Sequence, residues 1–206
     1  TQEKWVWVEP GVVLDELNMY LRDFGLFFGP ETSTGNRCMM GGMLGNNACG
    51  LHSLVRGSTR DHTLAVETLL SDGSVVIFEE LSKSGYQEKL DEKSLEGDIY
   101  RTLNDILINP ENQKEIINGY PDPEIPRRNT GYALDIVLNT EPFSPDTKPF
   151  NLSTLLAGSE GTLTISTRIK LNLIALPPSE KALICVHFNS LQESLLANLI
   201  AIETKP

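Results

Sequence analysis

Residues Gly29 to Gly50 read GPETSTGNRCMMGGMLGNNACG, the densest signal in the chain. Its last ten residues, Gly41 to Gly50, hold four glycines and two asparagines. Glycine lets main chain adopt positive φ and come close to a ligand, while Asn, Thr and Ser present short polar groups at fixed points. The pattern therefore suits a polyanionic or heterocyclic ligand held mainly by backbone donors. The competing reading is a glycine-rich surface loop that only turns corners. The spacing is not a dinucleotide fingerprint, because G-x-G-x-x-G is absent, and the phosphate loop G-x-x-x-x-G-K-[ST] is absent as well.

Working outward, Trp5 to Val8 is a β-rich run closed by the breaker Glu9-Pro10-Gly11. Leu14, Leu17, Leu21 and Phe24 then recur at helical spacing until Gly25 ends the helix. Ala65 to Leu70 and Val75 to Phe78 flank Ser71-Asp72-Gly73-Ser74, the Asp-Gly signal of a hairpin. Leu81 to Asp98 turns polar. Ile99, Leu103, Ile106 and Leu107 mark a helix, and Ile116-Ile117 lies in a second, short one. Pro121, Pro123 and Pro126 break the chain, and Asn139 to Lys148 reads as a surface excursion. Leu152 to Leu156 is a helical segment, Ala157 to Gly161 a tight turn, and Thr162 to Ile169 a β-branched strand that Leu171 to Leu176 continues. Pro177-Pro178 is the linker candidate. Beyond it Ala182 to Phe188 reads as a strand, and Ser190-Leu191-Gln192-Glu193 is a capping box opening an amphipathic helix to Ile202. No internal repeat is visible.

The 206 residues suffice for one domain or one domain and part of a second. At 40% hydrophobic and 22% charged the composition is globular, which excludes disorder of the whole chain. Seventeen basic against 28 acidic residues leave a net charge of -11, so nucleic acid or an anionic lipid surface would be repelled. No apolar run approaches the ~20 residues of a membrane helix, and no signal peptide is apparent. Cys38, Cys49 and Cys185 are too few and odd in number for a disulfide framework, so a cytoplasmic location is expected. The glycosylation triplet Asn151-Leu152-Ser153 is discounted, since such triplets recur by chance. The opening at Thr1 without Met, running almost at once into a strand, reads as an excised piece of a longer protein.

Other chemistry-bearing residues have simpler readings. Cys38, Cys49, His52 and His62 match no common zinc spacing and read as packing or loop residues, so no metal ligand is assigned. His187 is expected to be structural within its strand. Glu9, Glu31, Asp61 and Glu160 each fall in a turn, where a carboxylate commonly accepts local backbone amides. Met39, Met40 and Met43 read as packing, and Lys83 to Glu96 as a solvated face.

Several segments together resemble a known family, the flavoproteins of the vanillyl-alcohol oxidase or PCMH type. Within it they resemble the FAD-linked oxidases, which include glycolate oxidase flavoprotein subunits, D-lactate dehydrogenases and D-2-hydroxyglutarate dehydrogenases. Trp7 to Val12 looks like its "V-x-P-G-V" strand and turn, and Leu26 to Pro30 like the segment entering the flavin loops. Ser33 with Gly41-Gly42 to Gly50 is similar to "P-S…T-I-G-G…N-A-G-G". Arg60-Asp61-His62 followed by Asp72-Gly73 resembles "R-D-x-V…D-G". Asn129 to Leu134 is similar to "N-x-G-Y-x-L", and Gly158 to Leu163 to "G-S-E-G-T-L-G". Four positions depart: Met39 stands for a Thr, Cys49 for the first Gly of a pair, Arg56 for a Tyr and Thr164 for a Gly.

The resemblance implies an α+β fold: residues 1–178 as the second subdomain of a PCMH-type FAD-binding domain, an antiparallel-rich sheet flanked by helices, and 179–206 as the start of a ferredoxin-like substrate domain. It assigns Pro30, Thr32, Ser33, Gly41, Gly42, Asn46, Asn47 and Gly50 to the flavin and pyrophosphate, and Gly161, Thr162 and Ile165 to the nucleotide end of FAD. No residue is assigned a catalytic role. The family's basic "R-G-G-G-T" loop is expected before Thr1 and its "H-G-D-G-N" histidines after Pro206. Half a dozen hydrogen bonds lost at a net ~0.5–1.5 kcal/mol each, or ~1.5–3 to phosphate, amount to decades of affinity, so this chain is expected to hold FAD weakly or not at all. The implied reaction of the intact protein is oxidation of a small D-2-hydroxy acid of the glycolate or D-lactate type, with electrons passed to a separate acceptor. Two alternatives stay open. One is a reductase or an alcohol or sugar oxidase on the same fold; the other is an interaction module without flavin.

Overall fold

The computed structural model describes residues 3–125, 128–129, 131–180 and 182–204. Pro126 of the proline cluster and Thr130 of the Asn129 to Leu134 segment lie outside the described residues. The chain divides into two units, Thr1–Leu176 and Pro177–Pro206.

The first unit is a mixed structure of helices and antiparallel sheet. Strand β1 (Trp5–Val8) leads into helix α1 (Leu14–Arg22), whose Leu14, Leu17 and Leu21 are buried as their spacing requires. Phe24 lies outside that stripe and is exposed, and Gly25 takes φ 69° where the helix ends. The short strand β2 (Leu26–Phe27) and helices α2 (Met40–Gly45) and α3 (Ser53–Arg56) follow. Strands β3 (Thr63–Leu69) and β4 (Val75–Leu81) form the expected hairpin, in which the Asp72 carboxylate accepts from the Ser74 amide at 2.9 Å.

Helices α4 (Lys83–Asp91), α5 (Leu95–Ile108), α6 (Pro110–Gly119) and α7 (Leu134–Leu138) come next. The unit closes with β5 (Phe150–Asn151), α8 (Ser153–Leu156), β6 (Ile165–Asn172) and β7 (Ile174–Ala175). Strand order is β1-β6-β3-β4-β5, with every neighbouring pair antiparallel. The late strand β6 thus slots between β1 and β3. The run through Leu176 does not stay in this sheet, because Ile174 and Ala175 peel away to pair with Phe27 and Leu26.

Register explains the core. Val8 faces Ile169, Ile169 faces Val66, and Val66 faces Phe78, so one buried apolar row crosses four strands. The opposite face is wet: the Arg168 guanidinium lies 5.3 Å from the Trp7 ring centroid, and the Lys170 ammonium 4.3 Å from that of Trp5. Helices α4 and α5 cover the inner face with an aromatic cluster in which the Phe150 ring lies 4.8 Å from that of Tyr86 and 5.8 Å from that of Tyr100. Side chains of Ser82, Ser94 and Asn109 cap α4, α5 and α6.

The Lys83 to Glu96 stretch corrects its sequence reading. It is helical for most of its length, Tyr86 and Glu96 are buried, and the Lys89 ammonium donates to the buried Glu96 carboxylate at 2.6 Å. One aromatic among many charges is too weak a periodic signal to announce an inward face.

In the second unit, helix α9 (Leu191–Glu203) has the expected reciprocal cap. Ser190 Oγ accepts from the Glu193 amide, and the Glu193 carboxylate accepts from the Asn189 amide, both at 3.2 Å. Residues 182–188 form no strand and His187 is exposed, contrary to expectation. A β-branched run becomes a strand only beside a partner, and none pairs with it among the described residues. No described helix is long and apolar enough to cross a membrane, and the three cysteines are unpaired.

The tyrosines give a pH prediction. Burial pushes the Tyr86 phenol up to about 12, with the Asp105 charge adding, and burial raises Tyr100 further still. An unfolded phenol ionises near ~10, so above that pH the unfolded chain binds fewer protons and stability falls as pH rises. The Tyr100 hydroxyl is buried without a partner among the described residues. Tyr100→Phe should therefore keep its stability at pH 7 and unfold at higher pH than the parent in an alkaline titration followed by circular dichroism.

Candidate functional site

The chain leaves β2 under close constraint. The Phe28 amide donates to Asn18 Oδ1 at 2.8 Å, and a Cβ on Gly29 would lie 2.8 Å from Ile174 Cδ1. Pro30 is buried and Ser33 exposed. Thr32 Oγ1 lies 3.1 Å from Thr34 Oγ1 and 3.2 Å from Cys38 Sγ. The amides of Met40 and Gly41 then donate to Val12 and Pro10 carbonyls at 2.9 Å, which ties the start of α2 to the Pro10 turn.

Helix α2 buries Met40, Met43 and Leu44, whereas Met39 is exposed. Its glycines differ in purpose. A Cβ on Gly41 would lie 2.8 Å from Pro10 Cβ, so packing explains that glycine; one on Gly42 would meet no described protein atom within 4 Å. Gly50 passes so close to Glu31 that a Cβ would sit 1.2 Å from its carbonyl oxygen.

The turn after α8 meets α2 through main chain. The Gly158 amide donates to Leu44 O and the Glu160 amide to Gly45 O, each at 2.9 Å. Positive φ at Gly158 (94°), Glu160 (52°) and Gly161 (70°) gives the bend its shape. Asn46 Nδ2 donates to the Glu160 carboxylate at 3.0 Å, and Asn129 Nδ2 donates to Asn46 O at 3.0 Å. Tyr132 Oη lies 2.6 Å from Thr162 Oγ1. The Gly/Asn-rich stretch and the Ser-Glu-Gly-Thr bend are therefore neighbours, with the Asn129 segment beside them.

A cavity of about 320 Å³ opens here, lined by Thr32, Thr34, Cys38, Gly42, Met43, Asn46, Ala48, Cys49 and Asn129. Of the sequence-assigned residues, Thr32, Gly42 and Asn46 line it. Gly41 and Gly50 are in close packing behind it. Asn47 is 1% exposed with its Oδ1 accepting from the Arg60 amide at 2.8 Å. Gly161 and Thr162 continue the bend that Asn46 contacts through Glu160. Pro30 and Ser33 flank Thr32 without lining the cavity. Ile165 stands apart from the lining, opposite Leu69 where β6 begins. Thr34, Cys38, Met43, Ala48, Cys49 and Asn129 also line it without having been assigned singly, although the first five lie within the Gly29 to Gly50 stretch and Asn129 within a segment of the resemblance. The described lining side chains are all neutral and several are hydrogen-bonding, and the space above Gly42 is not claimed by protein atoms. Such a cradle fits an aromatic heterocycle with polar edges.

The remaining candidates separate. Among the described residues no three His, Cys, Asp or Glu side chains come together to hold a metal ion. His62 is buried with Nε2 2.6 Å from Arg56 O, whereas His52 Nδ1 is 2.5 Å from the Glu31 carboxylate. Asp61 accepts from the Ser58 amide at 2.7 Å, a local turn bond as expected. Glu31 does not behave so: its carboxylate hydrogen-bonds His52 and forms an ion pair at 2.8 Å with Arg56, the residue at a departing position.

Residues 1–79 match the FAD binding domain family. The chain is 37% identical over 177 residues to a D-2-hydroxyglutarate dehydrogenase of Pantoea ananatis, a match covering 86% of this chain and 16% of that protein. It is also 37% identical over 194 residues to the D-2-hydroxyglutarate dehydrogenase of Escherichia coli, covering 94% of this chain and 18% of that one. A probable mitochondrial D-lactate dehydrogenase of Danio rerio is 26% identical over 190 residues, with 92% and 26% covered. The chain thus spans well under a third of the length of each relative.

The two kinds of glycine make opposite predictions for thermal unfolding. Gly42→Ala should leave stability unchanged or raise it by up to ~1 kcal/mol, because its methyl enters open space and relieves helix entropy. Gly50→Ala should cost about 3 kcal/mol, because its methyl must displace the Glu31 backbone.

Proposed function

We propose that this chain, which belongs to the FAD-linked oxidase family, forms the flavin-facing wall of the FAD-binding domain of a D-2-hydroxy acid dehydrogenase. The observation that carries this reading is the main-chain docking of Gly158 and Glu160 onto the end of α2, beside the open face of Gly42 and within the segment that matches an FAD binding domain. Residues 1–178 act as the second subdomain and 179–206 begin the substrate domain. Thr32, Gly42 and Asn46 contact the flavin side directly. Pro30, Ser33, Gly41 and Gly50 shape the backbone that approaches it. Gly161, Thr162 and Ile165 lie toward the nucleotide end. Asn47 acts from behind, through its bond to the Arg60 amide.

FAD, when bound, supplies the hydride acceptor for oxidation of the substrate carbinol carbon. The chain's own residues bind and orient. The neutral donors Asn46, Asn129, Thr32 and Thr34 offer hydrogen bonds to the polar edges of the cofactor, and Met43 and Ala48 exclude water from its apolar part. The substrate class is a D-2-hydroxy acid, and the relatives of highest identity quoted above favour 2-hydroxyglutarate over the shorter glycolate and D-lactate. A separate acceptor takes the electrons. Three unpaired cysteines suit the reducing cytoplasm.

Titration of the 206-residue chain with FAD to millimolar concentration, followed by amide chemical shifts, tests the reading. Shifts should concentrate at Gly42, Asn46 and Gly161, with a dissociation constant about a thousandfold or more above that of a longer protein containing the segment. Shifts scattered over the surface would overturn it. In the longer protein, anaerobic bleaching of flavin absorbance by D- but not L-2-hydroxyglutarate is the expected sign of the activity.

A further inference from the structure

Arg60 is the one arginine among the described residues with less than a tenth of its surface exposed. It bonds no carboxylate among them. Its Nε donates to Thr154 O at 3.1 Å, and its Nη2 to Gly131 O at 3.1 Å and to Ala157 O. Its amide holds Asn47 Oδ1 at 2.8 Å. Burial lowers its pKa, with the charges of Asp61 and Asp135 opposing. A cation neutralised by carbonyl dipoles is an expensive way to fill a core, and an apolar side chain of similar volume would often be at least as stable. The spatial arrangement supplies the reason for it.

Two of the groups that Arg60 holds lie one or two residues from the cavity lining, and a third lies one residue from the bend that docks on α2. Asn47 follows Asn46, which lines it. Gly131 lies two residues beyond Asn129, which lines it and donates to Asn46 O. Ala157 precedes Gly158, whose amide docks on Leu44 O. A second, steric observation agrees: a Cβ on Gly158 would lie 2.6 Å from Arg60 Nη2 and 2.9 Å from Gly131 O, so that glycine makes room for the guanidinium. We propose that Arg60 is the positioning residue of the flavin groove, setting the spacing of the three backbone segments around Asn47, Gly131 and Ala157 through fixed-geometry bonds while never touching the cofactor. The planar fork can reach carbonyls from separate segments at once, whereas a lysine ammonium is a point charge on a mobile stem. This rests on the flavin reading above.

The test uses Arg60→Lys and Gly158→Ala in the 206-residue chain, below the unfolding temperature of every variant, with amide exchange and FAD titration measured on the same samples. Arg60→Lys should speed exchange of the Gly158 and Glu160 amides about tenfold or more, while Val66 and Phe78 in the hairpin change less than about twofold. It should also weaken FAD binding about tenfold. Gly158→Ala keeps the charge but crowds the guanidinium and strains a residue at φ 94°, and should repeat the Glu160 and FAD effects; Arg60→Gln, which cannot bond the three carbonyls at once, decides if the lysine variant does not fold. Equal acceleration of hairpin and bend amides, or FAD affinity unchanged from the parent, would reduce Arg60 to an ordinary stabilising residue and overturn the proposal. If the parent chain shows no saturable FAD binding, the exchange pattern alone decides whether Arg60 holds the bend, and the longer protein decides the flavin reading.

Discussion

Two backbone hydrogen bonds, from the Gly158 and Glu160 amides to the Leu44 and Gly45 carbonyls, hold together what the rest of the structure arranges. Main chain can approach main chain this closely only where side chains do not intervene. The bend accordingly runs through Gly158 and Gly161 at positive φ. The bend supplies an amide to the Gly45 carbonyl and a second donor to Leu44 O, which already accepts from the Asn47 amide at 3.0 Å. The bend gains a fixed position from these two bonds. Residues more than a hundred positions apart in sequence become neighbours beside the cavity.

The sheet makes that meeting possible. Because β6 enters between β1 and β3, its start is delivered close to the segment that follows β1 and α1. The buried row Val8, Ile169, Val66 and Phe78 fixes the register, since a slip of one residue would turn Ile169 to the wet face and bring Arg168 or Lys170 inside. The cation–π contacts of Arg168 and Lys170 with Trp7 and Trp5 favour the same register from the other side. The apolar row and the aromatic-cation face thus act together to aim residues 158–162 at α2.

What could be read from sequence follows the range of the interaction. The Asp72-Gly73 hairpin, the leucine stripe of α1 and the Ser190 cap of α9 depend on contacts within a few residues, and all appear where their patterns place them. The central place of β6 and the departure of Ile174 and Ala175 to pair with β2 depend on distant partners, which no local period encodes. The same logic covers residues 182–188, a β-branched run without a ladder to join, and Glu31, whose turn context gave no hint of His52 and Arg56. The cavity was legible where glycine and asparagine cluster. It was illegible at Arg60, because a guanidinium beside an aspartate and a histidine looks like a surface turn until Gly131, Thr154 and Ala157 fold around it.

Charge completes the argument. The chain carries a net -11, yet the described cavity lining is neutral and the best buried cation lies in the framework. A neutral lining of amides, hydroxyls and apolar groups matches an isoalloxazine ring and its ribityl chain. It does not match a pyrophosphate, whose two charges would lose water without a compensating cation. On the proposed reading, the cavity beside Gly42 and Asn46 is therefore the place of the ring system. The pyrophosphate would then draw its cationic partners from outside this lining, dividing the labour within one site: the lining shapes and orients, and charge compensation would be supplied beyond it.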